Sequence, residues 1–115
     1  MASRGKSARS KGNSYERKIV RELREYLLFP DAVTSRSESK RTDDKGIDIM
    51  YTDPFNFQLK AVERLGNIHK ILNGMPNDNN YNVVIHKRNN QGEVVSMSKD
   101  DFYEILGMLI RNQIL

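Results

Sequence analysis

The chain has 115 residues, of which 37% are hydrophobic and 30% charged, and its formal net charge is +4. This length suits one domain with one hydrophobic core and is too short for two. The absence of cysteine excludes a disulfide framework and a thiolate metal site. No apolar run approaches the ~20 residues of a membrane span, and the first residues lack the apolar core of a signal peptide. We therefore expect an intracellular, cytoplasmic protein with no membrane partner.

The first twelve residues are rich in Ser, Gly, Lys and Arg and contain no acid. They lack hydrophobic periodicity, which predicts a disordered basic arm over residues 1–12 and a single domain over residues 13–115. A mobile basic arm is suited to bind the phosphate backbone of a nucleic acid. The alternative is a solvated terminus that only aids solubility. The basic residues of the arm are Arg4, Lys6, Arg9 and Lys11.

An amphipathic helix is predicted from Asn13 to about Leu28. Asn13 and Glu16 have the spacing of a capping box, and apolar residues recur at helical spacing from Ile19 onward. Glu16 lies on the same stripe, one turn before Ile19. Its side chain is therefore expected either to point inward or toward a cleft, or to serve only as a helix cap.

A short strand is predicted over residues 32–36, after Pro30 breaks the helix. The polar stretch from Ser35 to Lys45 follows and contains four basic and three acidic residues. It predicts a surface loop, and such loops often carry functional residues when they are held by a rigid scaffold. The alternative is a solvated charged loop without a role.

The segment from Gly46 to Glu63 predicts a β-hairpin. Apolar and polar residues alternate along both arms, as in strands with one buried and one polar face, and residues 52–54 supply the turn. Asp48, Gln58 and Lys60 are then expected to converge on the face of the sheet opposite the core.

The second half of the chain predicts a helix that ends at Gly74, a strand over residues 81–87 and a shorter strand over residues 93–97. Ser98 and Asp101 form a second capping-box pattern. The apolar stripe of the final helix is interpreted as core or as a dimer face. The element order predicts an α/β fold with a mixed central sheet flanked by helices.

The hairpin and the first helix together offer the residue types of a Mg²⁺-dependent phosphodiesterase. Mg²⁺ prefers hard oxygen ligands, which Asp48, the Gln58 amide and the Leu59 carbonyl would supply, while Glu16 would serve a water-mediated or second position. The metal would polarise the scissile phosphate and acidify a water, and Lys60 would orient that water or offset negative charge. The alternative for Asp48 and Lys60 is an ordinary cross-strand salt bridge.

Three stretches, Tyr15-Glu16-Arg17, Gly46-Ile47-Asp48 and Gln58-Leu59-Lys60, resemble the PD-(D/E)xK nuclease superfamily. This resemblance implies a restriction-endonuclease-like α-β-β-β-α-β core and a catalytic set of Glu16, Asp48, Gln58 and Lys60. Gln58 departs from the acid that most members carry at this place, although some members use Gln, including a transposon end-cleaving nuclease. Glu63 is a candidate substitute acid, but strand alternation places it on the opposite face.

Lys11-Gly12, Glu16-Arg17 and Arg36-Ser37 further resemble the archaeal-type Holliday junction resolvases and their phage relatives. The resemblance covers residues 11–61 and implies a small homodimer that cuts four-way DNA junctions with Mg²⁺, for which Mn²⁺ would substitute. The implied DNA-binding residues are Arg4, Lys6, Arg9, Lys11, Arg17, Arg36, Ser37, Lys40 and Arg41.

The resulting hypothesis is a structure-selective DNA endonuclease, a Holliday junction resolvase that hydrolyses phosphodiester bonds. Three alternatives stay open: another small endonuclease of the nicking, restriction-like or transposition type, a DNA-binding module without activity, and a structural protein whose sheet-face charges only pair with each other. His69 and His86 are not at metal-pair spacing and are assigned no role.

Overall fold

The structure, a computed structural model, describes the backbone of residues 4–115 and the side chains of residues 9–115. It is a mixed α/β fold with a five-stranded sheet flanked by helices, as the sequence predicts. The elements in chain order are α1 (Arg4–Glu25), β1 (Val33–Thr34), α2 (Ser35–Glu38), α3 (Lys40–Asp44), β2 (Ile49–Met50), β3 (Phe55–Ala61), α4 (Ile68–Asn73), β4 (Tyr81–Arg88), β5 (Gly92–Ser96) and α5 (Lys99–Arg111).

The strands lie side by side in their order along the chain, from β1 to β5. Neighbouring strands pair antiparallel except β3 and β4, which pair parallel. Parallel neighbours require a crossover connection, and α4 lies in the segment that links these two strands. The predicted hairpin is confirmed, because Ile49 of β2 pairs with Phe57 of β3. The predicted strands of the second half are confirmed as β4 and β5.

The hydrophobic core lies between α1 and one face of the sheet. The helix contributes residues at the spacing expected for one buried face, and β2, β3 and β4 contribute the opposing side chains. Burying one such aliphatic or aromatic side chain contributes about 1.5–3 kcal/mol. The buried cluster comprises Tyr15, Ile19, Val20, Leu23, Ala32, Ile49, Phe57, Leu59 and Val83.

A polar contact also fixes α1 over the edge strand β5. The Tyr15 hydroxyl donates to Oε2 of Glu93 at 2.8 Å, and the Lys18 ammonium donates to Oε1 of Glu93 at 2.6 Å. The hydrogen bond from Lys18 is the main reason why the pKa of Glu93 is below its ordinary value. These contacts set the position of the helix turn that carries Glu16.

The predicted start of the first helix at Asn13 is wrong. Helix α1 begins at Arg4 and ends at Glu25, so residues 4–12 of the predicted arm are helical where the sequence predicts disorder, and residues 1–3 lie outside the described residues. Once a turn is nucleated on the core, each further helical residue adds one hydrogen bond at small cost. Ala, Arg and Lys in this segment are favourable helix residues.

The predicted loop from Ser35 to Lys45 is also wrong, because it forms the short helices α2 and α3. The Ser39 hydroxyl accepts a hydrogen bond from the Thr42 amide and caps α3. Such caps satisfy amides at the first turn of a helix. The stretch has no apolar periodicity, and therefore the helix pattern was not visible in the sequence.

The end of α4 and the start of α5 follow the sequence pattern. Gly74 ends α4, and the Ser98 hydroxyl accepts from the Asp101 amide at the start of α5. The apolar stripe of α5 is only partly covered: Phe102 is 47% exposed and Ile110 is 60% exposed. Within residues 4–115, no helix has both the length and the apolar character needed to cross a membrane.

Candidate active site

Three acidic side chains converge at one end of the hairpin. Glu16 comes from α1, Asp43 from α3 and Asp48 from the residue before β2. Each offers one carboxylate oxygen, and these oxygens all lie within 4.8 Å of one another. All three residues are partly buried, so their negative charges repel in an environment that screens them less than bulk water does.

Asp48 is held by three hydrogen bonds to two other segments, β3 and the start of α2. Its amide donates to the Phe57 carbonyl at 2.8 Å, and its carbonyl accepts from the Ser35 amide at 2.8 Å. Its carboxylate Oδ2 accepts from the Leu59 amide at 2.7 Å. One carboxylate oxygen is therefore engaged by the sheet, and the backbone fixes the direction of the other.

Burial raises the pKa of Asp48 to about 6. The Leu59 amide lowers this pKa, the charges of Glu16 and Asp43 raise it, and the charge of Lys60 lowers it. Burial also raises the pKa of Glu16, against the opposing effect of Arg36. Such shifts indicate that ionised carboxylates at this place are costly unless a cation is near.

Arg36 supplies one such cation. It extends from α2 and forms an ion pair between its Nη2 and Oε2 of Glu16. The Glu16 side chain is only 13% exposed, whereas that of Arg36 is 42% exposed. The guanidinium therefore lies at the solvent side of the acidic cluster.

Two of the predicted residues of β3 lie beside this cluster. Lys60 is close enough to influence the Asp48 carboxylate through its charge. The Leu59 amide faces Asp48, and because N–H and C=O of one residue in an extended strand point to the same edge, the Leu59 carbonyl also faces this side. Asp48 thus contacts Leu59, and the roles expected for Leu59 and Lys60 stay predictions.

Gln58, the remaining predicted residue of β3, is held beside Gly46. An added Cβ on Gly46 would be 3.2 Å from Nε2 of Gln58. Gly46 has a φ of +81°, which glycine adopts without strain. Gln58 also lines a separate groove with Lys45, Asn67 and other residues between α3 and α4.

Asp43 is the site residue that the sequence interpretation missed. The sequence predicts a loop for the stretch that contains Asp43, and no pattern in this stretch distinguishes one acid from the others. The spacing of Ser39 and Thr42 was the available signal, since a serine before a helical turn is a typical cap. The substitute acid considered from the sequence, Glu63, instead lies 3.9 Å from Nε of Arg88.

The predicted DNA-binding residues occupy several surfaces. Arg9, Arg17, Arg36, Ser37, Lys40 and Arg41 are exposed, and Lys11 is partly exposed. The side chains of Arg4 and Lys6 lie outside the described residues. Lys11 donates to Asn89 at 3.2 Å, and Lys40 pairs with Asp44 at 3.1 Å.

The donor set fits a hard divalent cation. Three carboxylates and the Leu59 carbonyl offer only oxygen, which Mg²⁺ prefers. The histidines lie elsewhere: Nε2 of His86 is 2.9 Å from Oγ of Ser96, and His69 is exposed on α4. Glu16, Asp43 and Asp48 are thus the residues that could hold a metal.

Comparison with protein-family models, curated proteins and solved structures finds no match for this chain. The resemblance to the PD-(D/E)xK superfamily therefore stays a prediction, and the function is argued from the residues themselves.

We predict that Asp48→Asn stabilises the metal-free protein near neutral pH. Because burial raises the pKa of Asp48 above its ordinary 3.8, folding favours the protonated form, and stability declines as the pH rises through about 6. The substituted side chain cannot ionise, yet its amide oxygen can accept from the Leu59 amide. The gain in the free energy of unfolding at neutral pH should be on the order of 2–3 kcal/mol.

Urea unfolding at about pH 4 and about pH 7.5 measures this difference. The matched control is Asp44→Asn, since the Asp44 side chain is 62% exposed. An advantage of Asp48→Asn that is equal at both pH values would contradict the prediction.

Proposed function

We propose that the chain is a metal-dependent DNA endonuclease that cleaves four-way junctions as a homodimer. The observation that carries this proposal is the convergence of Glu16, Asp43 and Asp48 beside Lys60. Three neighbouring half-buried acids destabilise the fold. Three such acids with a lysine beside them suit phosphodiester hydrolysis. The order of α1, three antiparallel strands, α4 and a parallel strand supports the restriction-endonuclease-like core.

In this proposal the acids hold the metal and Lys60 assists the reaction. Bound Mg²⁺ would polarise the scissile phosphate and lower the pKa of a water molecule. Asp48, whose position is fixed by the sheet, would be one metal ligand. Glu16 and Asp43 would supply the other two carboxylates. The Lys60 ammonium would orient the attacking water and offset the negative charge that develops on the phosphate.

The main objection to activity is that Gln58 stands where most members of the PD-(D/E)xK superfamily carry an acid. Asp43 meets this objection. Gln58 contributes no charge, and its amide packs against Gly46. Asp43 restores a third carboxylate from a different element. The position of Gln58 nevertheless favours a second candidate, a DNA-binding module of the same fold without activity.

We expect wild-type protein with Mg²⁺ to introduce paired symmetric nicks in a labelled four-way junction and to leave the matching linear duplex intact. EDTA should abolish cleavage. Asp43→Asn should reduce it about 100-fold or more, since even groups that only orient metal ligands cost about 10- to 100-fold when removed. The matched control is Asp44→Asn, the next residue, which lies outside the acidic cluster.

Three outcomes separate the candidates. Cleavage of both substrates would keep the nuclease and discard junction selectivity. Binding without cleavage under any metal would favour the DNA-binding module. Equal loss in Asp43→Asn and Asp44→Asn would contradict the assignment of Asp43 to the site.

The homodimer is supported by the apolar surface around α5. Phe102 and Val95 line a groove of about 790 Å³ together with residues of α4, and Val95 is 64% exposed. Ile110, on the same helix, is 60% exposed. Exposed apolar surface of this kind is typical of protein–protein interfaces, and two cuts in a two-fold junction suit a two-fold enzyme.

We predict that the wild type sediments as a dimer and that Ile110→Glu sediments as a monomer. A charge buried without a partner in an apolar interface opposes association. Met108→Glu is the matched control, because Met108 is 39% exposed and lies about 160° around the same helix from Ile110. Sedimentation equilibrium measures the mass, and a dimer that tolerates Ile110→Glu would contradict this interface.

The Arg36 ion pair supports a further element of the mechanism. The guanidinium occupies the cation position beside Glu16 and would compete there with a divalent ion. On metal binding, Arg36 would be released toward the phosphate backbone, which arginine binds through its paired donors. Arg36 would thus balance the charge of Glu16 when the metal is absent and bind DNA when it is present.

We expect Arg36→Gln to raise the affinity for Mn²⁺ about tenfold in the absence of DNA, because it removes a charge that competes with the metal. A tenfold change corresponds to about 1.4 kcal/mol of binding free energy. Titration calorimetry at about pH 8, above the pKa of about 6 to which burial raises Asp48, measures this affinity. Arg41→Gln, an exposed arginine of α3, is the control. An unchanged or lower affinity in Arg36→Gln would contradict the exchange.

A further inference from the structure

Three arginines line a groove beside the candidate active site. Arg17, Arg21 and Arg24 lie on one face of α1, since residues three and four apart are neighbours on a helix surface. With Thr34 and Ser37 they form a groove of about 480 Å³ between α1 and the β1–α2 segment. Arg21 and Arg24 were not among the residues expected to bind DNA.

The groove has a strong excess of positive charge. Its only acidic lining residue is Glu25, and in the part of the chain that the structure describes, none of the three arginines forms a salt bridge. Arg17 donates to the Ser14 hydroxyl at 3.3 Å, and Arg24 donates to the Ala32 carbonyl at 2.7 Å. Both partners are neutral, so they orient the Arg17 and Arg24 guanidinium groups without forming an ion pair.

Another cation on the surface of α1 is paired with acids, in contrast to these arginines. Lys18, one residue from Arg17, pairs with both Glu22 and Glu93. Like charges at helical spacing oppose helix formation. An unpaired row of arginines is therefore suited to an anion supplied from outside the chain.

The groove begins next to the acidic cluster. Arg17 follows Glu16 directly in α1, and Ser37 follows Arg36 directly in α2, so the groove begins beside the Glu16–Arg36 pair. Arg17 and Arg24 are about 10 Å apart along the helix axis at 1.5 Å per residue. This length corresponds to about three nucleotides at 3.4 Å per step.

We propose that this groove binds the sugar-phosphate backbone of a DNA arm that flanks the cleaved phosphate. The proposal rests on the proposed function and extends it from the reacting phosphate to its neighbours. Guanidinium groups bind phosphates through two parallel hydrogen bonds. The Thr34 and Ser37 hydroxyls donate to Ser37 and to the Thr34 carbonyl, so the arginines supply the donors of the groove. Backbone contacts of this kind position DNA by shape and do not read base sequence.

The test compares junction binding by the wild type, Arg21→Gln and the double variant Arg17→Gln/Arg21→Gln. Fluorescence anisotropy in EDTA, without cleavage, is followed from about 50 to about 200 mM salt. Each lost phosphate contact should reduce the slope of log affinity against log salt by about 0.9. The double variant should also bind about tenfold more weakly or worse.

The matched control is Arg111→Gln at the end of α5, which removes the same charge from an exposed position. Glutamine keeps a high helix propensity, and circular dichroism checks that each variant is folded. Arg24 is left intact because its bond to Ala32 also supports the fold.

The outcomes distinguish this inference from the proposed function. A double variant with the slope and affinity of Arg111→Gln would overturn the arginine groove even if the junction is cleaved. If the wild type itself binds no DNA, both proposals fail. Should the double variant not fold, the slope of Arg21→Gln alone decides, with a reduction of about 0.9 expected.

Discussion

The three hydrogen bonds of Asp48 join the segments on which the candidate site depends. Its carbonyl holds the start of α2, and its amide holds β3 at Phe57. Its carboxylate holds the Leu59 amide, two residues along the same strand. Arg36 of α2 and Lys60 of β3 are thereby brought toward one point. A single residue thus connects the hairpin to the acidic cluster, and its conformation cannot change without disturbing both α2 and β3.

The site was only partly predictable from the sequence, and the difference has a physical reason. Alternation with a period of two placed Asp48 near Lys60 correctly, because strand geometry determines which side chains share a face. The helical stripe likewise indicated that Glu16 could point inward. Asp43 was missed, since α3 is one short turn held by the Ser39 cap and by its tertiary setting, neither of which leaves an apolar repeat.

The same distinction applies to the whole fold. Elements that bury apolar side chains, such as β3 and β4, were predicted with nearly correct bounds. The beginning of α1 was not, because the sequence of residues 4–12 contains no apolar stripe and its composition favours disorder. Gln58 shows a further limit: alternation along the strand cannot show that its amide packs against Gly46, whose missing side chain leaves the space for it.

Helix α1 links the two parts of the proposed DNA-binding surface. Its inward face packs on the sheet, and the Glu93 contacts with Tyr15 and Lys18 hold the turn that contains Glu16. Its opposite side carries the arginine row from Arg17 onward. Because one rigid helix carries both features, the register between a bound backbone and the acids would be set by helix geometry and not by a flexible loop. The buried Tyr15 and the paired Lys18 would then help to determine where a bound strand lies relative to the acidic cluster.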